Sequence, residues 1–508
     1  MKKNSLKIIT LVSASFIATS CSIFTDKYFD WMKSTKNNSE INYCLLIGQN
    51  EHSDSIERTR YTRQALDTRD AKTEINGNAN LGIPKIGHLK LNDPEKKHTM
   101  DYDPDVPTKE FKVTEIEHME QKSLAGVVWD SITANGSAST WISKHGDKIT
   151  MFISNNDGMA EGALFASNWI KKLPLFGYDA NTTTLRFVTK GDIMGTVDQN
   201  AAAQTSAAYL MIRNILEDLE TGANEVNTTA YIPTNRGFNG KRKPTAYGVY
   251  IDGYDTGMGT KEGIVNPVEN EDERFVNNFD LSKTDGRHQV LSKSIAIDET
   301  NIDTFVDEKG KVLEPNKLAW SDDGYVHKTE NYKIPEKKYT IIHVYNNAAE
   351  VYLQGTMKNY YSNYDDELGL VINKIDGDGI DEQKIFTQLD GACASNKFDA
   401  FLINMVTTTD GPTFVDRLAT YAAKKEGKTP PSGGWDKWED RFKTPLIFWN
   451  KQPQTIDGNV DIATMNNKYF RYTYFVGVDA QYGGQEQGKM IVNYLNRQYI
   501  KSMKENRK

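Results

Sequence analysis

The sequence has few cysteines, no excess of basic charge and no long apolar run beyond its N-terminus. Three cysteines, Cys21, Cys44 and Cys393, are too few for a disulfide scaffold and lack the spacing of a zinc site. The formal charge of −8 argues against nucleic-acid binding, which needs a basic surface. After the first twenty residues, no run approaches the about 20 apolar residues of a membrane-spanning helix. The disulfide-rich and multispanning membrane classes are therefore excluded.

Familiar catalytic motifs are also missing. The stretch Gly483–Lys489 fits GxxxxGK, but Met490 follows where a phosphate-binding loop needs Ser or Thr. The acidic stretch Asp376–Glu382 lacks the turn glycine of a calcium loop and is better explained as a solvated turn. No GxSxG, HExxH or kinase signature is present. The sequence therefore predicts a protein that is not an enzyme.

Residues 1–20 have the pattern of a signal peptide, with an early cluster of lysines and the apolar stretch IITLVSASFIA. The residues Ala18-Thr19-Ser20-Cys21 resemble a bacterial lipobox, which implies that Cys21 carries lipid. An ordinary secretory signal that happens to contain a cysteine is the alternative. Residues 21–41 then form a polar tether, and the mature protein is expected on the outer face of the cell membrane, held by its lipid anchor.

Short apolar runs alternate with helical patterns in two parts of the chain, which is typical of parallel α/β units. The predicted strands lie within residues 43–48, 149–154, 173–179, 193–197, 339–345, 368–373, 398–406, 444–450 and 474–479. Two polar tracts interrupt this pattern. Residues 68–122 are interpreted as a surface insertion, and residues 255–338 as a polar linker or small subdomain.

Polar side chains follow several of these strands. Ligands of open α/β sheets bind beyond the carboxyl ends of the strands, and adjacent hydroxyls of a sugar suit carboxylates, amides and guanidinium groups. Each such residue taken alone is more often a helix cap. The side chains that follow predicted strands are His52, Asp54, Arg58, Asn155, Asn156, Asp157, Asp179 and Asn450.

Two stretches of the chain resemble a known family in reversed order. ITMFISNNDGMAEGALFA and LPLFGYDANTTTLRFVTKGDIMGTVDQNAAAQ resemble the C-terminal half of the galactose/glucose-binding proteins of bacterial ABC sugar importers. TPLIFWNKQP and YFVGVDAQYGGQEQGKMI resemble segments of the N-terminal half. The resemblance covers roughly residues 42–66, 123–253 and 339–500, and the reversed order indicates a circular permutation.

The resemblance implies a type I periplasmic-binding-protein fold of class α/β, with two Rossmann-like doubly wound lobes joined by a hinge. One lobe would hold residues 42–198 with 479–500, and the other residues 200–245 with 339–477. It further implies that Trp129 stacks on the sugar ring. The residues implied to hydrogen-bond the sugar are His52, Asp54, Arg58, Asn156, Asp179 and Asn450.

Three positions depart from the family pattern. The family's first loop carries an acid and an aromatic residue, and a shift of one position matches them to Glu350 and Tyr352 rather than to Ala349 and Val351. Gln199 stands where the family has Asn, as a longer amide that can still reach the ligand. Thr150 stands where the family has a calcium-binding Glu, so no metal or other cofactor is expected.

The function predicted on this basis is capture of a hexose, galactose or glucose, and its delivery to the permease subunits of an ABC transporter. The resemblance implies a monomer whose partners are a monosaccharide, the permease and, through Cys21, the membrane, without nucleic acid. A surface lipoprotein, acting as an adhesin or antigen on the same scaffold, is the alternative, as is binding of a different sugar.

Overall fold

The structure is a computed structural model, and it describes most of the chain in separate stretches. The described residues are 39–49, 52–69, 84–98, 100–121, 128–167, 173–199, 201–220, 236–237, 241–242, 289–292, 294–307, 339–346, 369–377, 381–429, 441–455 and 460–505. Cys21, Glu350 and Tyr352 lie outside them. Within these stretches, none of the helices combines the length and apolar character that a bilayer span requires.

The described residues form α-helices, β-strands and four short 3-10 helices. The strands are β1 (Glu40–Gln49), β2 (Gly87–Leu91), β3 (Lys109–Gln121), β4 (Met151–Ser154), β5 (Leu175–Phe176), β6 (Gly195–Asp198), β7 (Arg236–Gly237), β8 (Lys241–Arg242), β9 (Gln289–Ser292), β10 (Ile295–Asp298), β11 (Tyr339–Asn346), β12 (Leu370–Gly377), β13 (Ala400–Ile403), β14 (Leu446–Trp449) and β15 (Thr473–Val478). The helices are α1 (Ser53–Ala65), α2 (Ser131–His145), α3 (Asp157–Ser167), α4 (Thr182–Thr189), α5 (Ala201–Glu220), α6 (Glu382–Cys393), α7 (Gly411–Lys425), α8 (Ile462–Met465) and α9 (Ala480–Glu505). The 3-10 helices are Pro94–Lys96, Gly146–Lys148, Ile302–Thr304 and Thr408–Asp410.

These strands assemble into two large sheets and a small ribbon. The first sheet has the order β10-β6-β5-β4-β1-β3-β2, and its inner strands are parallel while β10 and β2 are antiparallel to their neighbours. The second sheet has the order β12-β11-β13-β14-β15-β9 and is parallel throughout. Strands β7 and β8 pair antiparallel in the ribbon. All nine strands predicted from apolar runs are confirmed, and so is the α/β fold class.

Both large sheets follow the same winding order. Numbered along the chain, β1, β3, β4, β5 and β6 stand in the spatial order 2-1-3-4-5, and so do β11 to β15. This is the doubly wound order in which a crevice opens between the first and third strands. In the first sheet that crevice lies between β1 and β4, and in the second between β11 and β13.

Helices cover both faces of the first sheet. Side chains alternate along β1, so successive residues pack into the cores on opposite faces. Ile41, Tyr43, Leu45 and Ile47 pack into the cluster that contains residues of α9, such as Ile491 and Leu495. Cys44 and Leu46 pack into the cluster formed with α2, α3 and α4. A strand buried on both faces explains the apolar run at 43–48.

Helix α9 packs closely on α1, and this contact explains the glycine spacing at 483–488. A Cβ added to Gly484 would lie 2.7 Å from the carbonyl oxygen of Glu57, and one added to Gly488 would lie 2.6 Å from Cβ of Ala65. Both distances are shorter than side chains tolerate. The glycines therefore allow two helices to approach each other, which is a packing role.

The chain passes between the sheets at three short crossings within the described residues. β6 belongs to the first sheet, but α5, which follows it, packs on β9, β14 and β15 of the second. β15 belongs to the second sheet, but α9 packs on the first. β9 and β10, separated by two residues, lie in different sheets. The predicted lobe boundaries stay a prediction.

The two polar tracts contain strands that the sequence did not predict. In 68–122, β3 pairs with β1 along most of its length, so this part is a strand of the first sheet rather than an insertion outside it. β3 has the sequence KEFKVTEIEHMEQ. It contains no apolar run that would predict a strand, because most of its side chains are charged or polar. Its buried Glu115 is neutralised by Arg63, whose Nη2 lies 2.6 Å from Oε1.

The second tract, 255–338, is predicted to be a polar linker or small subdomain. The structure instead places β9 beside β15 and β10 beside β6, so this tract adds an edge strand to each sheet. Each strand is only four residues long. Their residues, QVLS and IAID, stand in a polar stretch and do not form a continuous apolar run of the kind that marks the predicted strands.

Candidate functional site

Most of the predicted site residues meet at the carboxyl edge of the first sheet. β1, β4, β5 and β6 run parallel, so the loops that follow them emerge at one edge. His52 follows β1, and Asn156 follows β4, the two strands that flank the crevice. Asp179 and Gln199 follow β5 and β6. The winding order of the sheet thus brings together residues that are up to 147 positions apart in the sequence.

Arg58 lies at the centre of this group and is 2 % exposed. Its Nη2 donates to Oδ2 of Asp54 at 2.7 Å, and its Nη1 donates to the carbonyl oxygen of Asn155 at 2.6 Å. Nη1 also lies 3.7 Å from Oδ1 of Asp179. The guanidinium carbon stands 3.6 Å from the centroid of the Tyr178 ring. A buried cation is thus neutralised by two carboxylates and seated on an aromatic face.

His52 caps α1 and lies against Trp129. Its Nδ1 accepts a hydrogen bond from the backbone N–H of Asp54 at 3.1 Å. Because Nδ1 is the acceptor, the neutral ring carries its proton on Nε2. The rings of His52 and Trp129 meet edge to face, with centroids 5.7 Å apart and an interplanar angle of 86°. The cap therefore fixes both the tautomer and the orientation of the histidine.

Trp129 is held by three local features. Its backbone has the left-handed φ of 59°, which is uncommon for a bulky residue. Its ring lies over Gly48, where an added Cβ would overlap the indole. Its carbonyl oxygen accepts from Nδ2 of Asn156 at 3.4 Å, while Oδ1 of Asn156 caps α3 by accepting from the N–H of Met159 at 2.8 Å. Trp129 remains 7 % exposed, at the edge of the site.

Asp179 and Gln199 complete the group on the first sheet. Nε2 of Gln199 donates to Oδ1 of Asp179. Both residues are buried, at 4 % exposure. The structure thus places the longer amide beside the carboxylate that faces Arg58. We call His52, Asp54, Arg58, Trp129, Asn156, Tyr178, Asp179 and Gln199 the Arg58 cluster.

Asn450 belongs to the second sheet. It follows β14 with a left-handed φ of 64°. Its Oδ1 accepts from Nδ2 of Asn404 at 3.1 Å, and Asn404 also donates to the carbonyl oxygen of Trp449 at 3.2 Å. Asn404 is fully buried at the end of β13, beside the crevice of this sheet. Asn450 therefore lies on a different sheet from the Arg58 cluster and is hydrogen-bonded to Asn404.

Sequence reasoning missed three residues that shape the site: Gly48, Tyr178 and Asn404. Asn155 was visible at the end of a predicted strand, but its carbonyl oxygen, rather than its amide, is what contacts Arg58. Asn404 lies inside the predicted strand 398–406, whereas the observed strand β13 ends at Ile403 and leaves Asn404 at the strand end. The ring contact of Tyr178 and the space above Gly48 depend on tertiary packing and leave no signal in the sequence.

The two cysteines in the described residues are buried and unreactive. Burial raises the pKa of the Cys393 thiol to about 12 and that of Cys44 still further. Neither thiol therefore forms the nucleophilic thiolate near neutral pH. In the part of the chain that the structure describes, no three His, Cys, Asp or Glu side chains are grouped in a way that could hold a metal ion.

Comparison with known proteins finds partial sequence similarities. Residues 27–220 match the family described as periplasmic binding protein domain. A stretch of 100 residues is 37 % identical to the D-galactose/methyl-galactoside binding periplasmic protein MglB of Haemophilus influenzae. That stretch covers 19 % of this chain and 30 % of the relative. Residues 27–220 are thus similar to a periplasmic binding protein domain, and the two doubly wound sheets have the α/β fold of type I periplasmic binding proteins.

Proposed function

We propose that this protein is an extracytoplasmic sugar-binding protein that captures a hexose, galactose or glucose, and delivers it to an ABC transporter permease. The observation that carries the proposal is the Arg58 cluster, in which a buried guanidinium, two carboxylates and a histidine adjoin the Trp129 ring. The match to a periplasmic binding protein domain supports the extracytoplasmic location.

The chemistry of the cluster suits a pyranose ring. A sugar presents C–H groups on one face and hydroxyls around its rim, so an aromatic plate combined with polar groups fixes its orientation. The carboxylates of Asp54 and Asp179 are acceptors, whereas Arg58 and the Nε2–H of His52 are donors. Buried polar groups that lose their hydroxyl partner penalise a wrong epimer by about 1–3 kcal/mol each.

The second sheet supplies the other side of the proposed site. Asn450 lies at the carboxyl edge of that sheet, as the Arg58 cluster does on the first. Three short crossings join the two sheets, which is the connection expected of two lobes that close about a hinge. We propose that the sugar is held by the Arg58 cluster on one lobe and by Asn450, Glu350 and Tyr352 on the other.

The proposed preference among hexoses rests on one relative, which this chain matches over part of its length. Its printed name states that it binds D-galactose and methyl-galactoside, and the match spans 30 % of its length. That name describes a binding protein, which supports a binding role rather than catalysis here as well. We therefore propose galactose first and glucose second.

Ligand binding should raise the melting temperature, since a ligand at about 100 times its Kd stabilises the native state by about 2.7 kcal/mol. We expect galactose or glucose to produce this rise, and Trp129→Ala to abolish it by removing the aromatic plate. Trp141→Ala is the matched control, because Trp141 is equally buried, at 7 % exposure, but stacks on Phe152 in the core. It should melt earlier yet still respond to sugar. Differential scanning calorimetry tests both, and the absence of a shift across hexoses, pentoses and nucleosides would contradict the proposal.

Replacement of Asn450 should weaken binding and prevent closure of the lobes. We expect Asn450→Ala to lower the affinity by about tenfold to a hundredfold, the loss of one or two hydrogen bonds to a buried ligand. Asn396→Ala is the control, because Asn396 has a similar left-handed φ of 55° and lies at the opposite edge of the same sheet, just before β13. Titration calorimetry gives the affinity, and small-angle scattering shows whether sugar reduces the radius of gyration. Equal effects of the two variants would argue against a role for Asn450.

We also propose that the chain is circularly permuted relative to the galactose/glucose-binding proteins. Each sheet has the full 2-1-3-4-5 order, and that of the second sheet begins only at β11. The two ends of the described chain lie near the start of β3. The hydroxyl of Tyr499 donates to the carbonyl oxygen of Pro107 at 2.7 Å, and the N–H of Lys112 donates to that of Ser39 at 2.7 Å.

A rearranged chain tests the permutation. It would join residue 505 to residue 39 through a short Gly/Ser linker and begin at residue 335. We expect it to fold, with circular dichroism and sugar affinity close to those of the parent, because every described strand and helix stays intact. The control carries the same linker but opens between Leu402 and Ile403 inside the buried β13, and it should not fold. Failure of both chains would contradict the proposal.

The proposed lipid anchor rests on the sequence around Cys21. We expect bacteria that express the protein to incorporate labelled palmitate into it and to retain it in the membrane fraction. Cys21→Ser should remove both properties, whereas Cys393→Ser, a change at a buried cysteine, should remove neither. Release of the unchanged protein into the soluble fraction would instead indicate an ordinary secretory signal.

A further inference from the structure

The loop that carries Asp179 has a strained backbone. Asp179 has φ 122° and Ala180 has φ 54°, although neither is glycine. Side chains with a Cβ rarely adopt such angles, and backbone strain of this kind persists only where the surrounding structure imposes it. Tyr178–Asn181, which we call the Asp179 loop, must therefore be held in place by its neighbours.

Asp157, the first residue of α3, contacts both ends of the Asp179 loop. Its backbone N–H donates to the carbonyl oxygen of Tyr178 at 2.6 Å. Its Oδ2 accepts from the backbone N–H of Asn181 at 2.7 Å. These two hydrogen bonds hold the residues on either side of the strained pair.

Thr196 on β6 links Asp157 to the middle of the loop. Its hydroxyl donates to Oδ1 of Asp157 at 2.7 Å and accepts from the backbone N–H of Ala180 at 3.2 Å. Gly177 leaves the space that Oδ1 occupies, since an added Cβ there would overlap this oxygen. Both carboxylate oxygens of Asp157 are thus used, and both serve the loop that carries Asp179.

Asp157 has no exposed surface, whereas Asp179 is 4 % exposed and faces Arg58. A ligand in the site can therefore contact Asp179 but not Asp157. Burial raises the pKa of Asp157, because its charged form is disfavoured in these dry surroundings. A small apolar side chain could fill the same space but could not accept from Asn181 and Thr196.

We propose that Asp157 is a positioning residue for sugar recognition, which acts by holding the Asp179 loop in the conformation that presents the Asp179 carboxylate to Arg58 and to a sugar hydroxyl. This inference rests on the proposed function, because it assigns Asp157 a role in the same sugar site. It predicts that the contribution of Asp157 to binding passes through Asp179.

A double-mutant cycle between Asp157 and Asp179 tests this role, with galactose and glucose as the titrated ligands. We expect Asp157→Ala to weaken the binding of the preferred sugar by about tenfold in the parent, the effect of misplacing one charge-assisted hydrogen bond. In an Asp179→Ala background, the same change should alter the affinity by less than about twofold, because the group that it positions is already absent. A general loss of structure would instead weaken binding equally in both backgrounds.

Further variants keep the test decisive if Asp157→Ala folds poorly. Asp157→Asn retains one acceptor for the Asn181 N–H and should recover part of the affinity. Thr196→Val removes the linking hydroxyl at nearly constant volume and should give the same coupling to Asp179. Thr150→Val is the matched control, since the Thr150 hydroxyl bonds the carbonyl oxygen of Asn42 at the opposite edge of the same sheet. It should leave the affinity unchanged.

The outcomes separate this inference from the proposed function. If the parent binds neither sugar in the calorimeter, the proposed function fails and the inference fails with it. If the parent binds sugar but folded Asp157 and Thr196 variants bind as the parent does, the inference alone is overturned. Equal losses with and without Asp179 would also overturn it.

Discussion

The buried guanidinium of Arg58 constrains the whole site, because a cation taken out of water must be paired. Asp54 provides one charge from the preceding turn of the same helix, and Asp179 provides the other from a loop after a different strand. The Tyr178 ring covers one face of the guanidinium. A single buried charge therefore fixes the position of groups from two segments of the chain.

The position of the cluster follows from how the first sheet is wound. Parallel strands in the order 2-1-3-4-5 place the loops after β1 and β4 on either side of a crevice. In those loops, His52 and Asn156 cap the helices α1 and α3. A side chain that caps a helix at this edge of the sheet also lies beside the crevice. A capping role therefore does not exclude the proposed role in sugar binding.

The strained loop around Asp179 and the left-handed Trp129 and Asn450 share a physical feature. Each is a non-glycine residue with positive φ at the end of a strand or beside the crevice, and each is held by a buried polar partner. Conformations of this kind cost free energy and are usually kept where a side chain has to point in a particular direction. Asn404 donates to the Asn450 side chain and to the Trp449 carbonyl oxygen, whereas Asp157 and Thr196 bond the backbone of the Asp179 loop.

Sequence alone was enough to predict the nine strands made of apolar runs, the α/β class, and the strand-end positions of most candidate residues, because burial on both faces and loop polarity are local properties. It did not reveal β3, whose buried Glu115 is neutralised by Arg63 from another element, nor β9 and β10, which lie in a polar stretch. Tertiary contacts settle which strand ends become neighbours, which ring lies under Arg58, and which buried carboxylate bonds the Asp179 loop. Those contacts join residues far apart in the chain, and no local pattern records them.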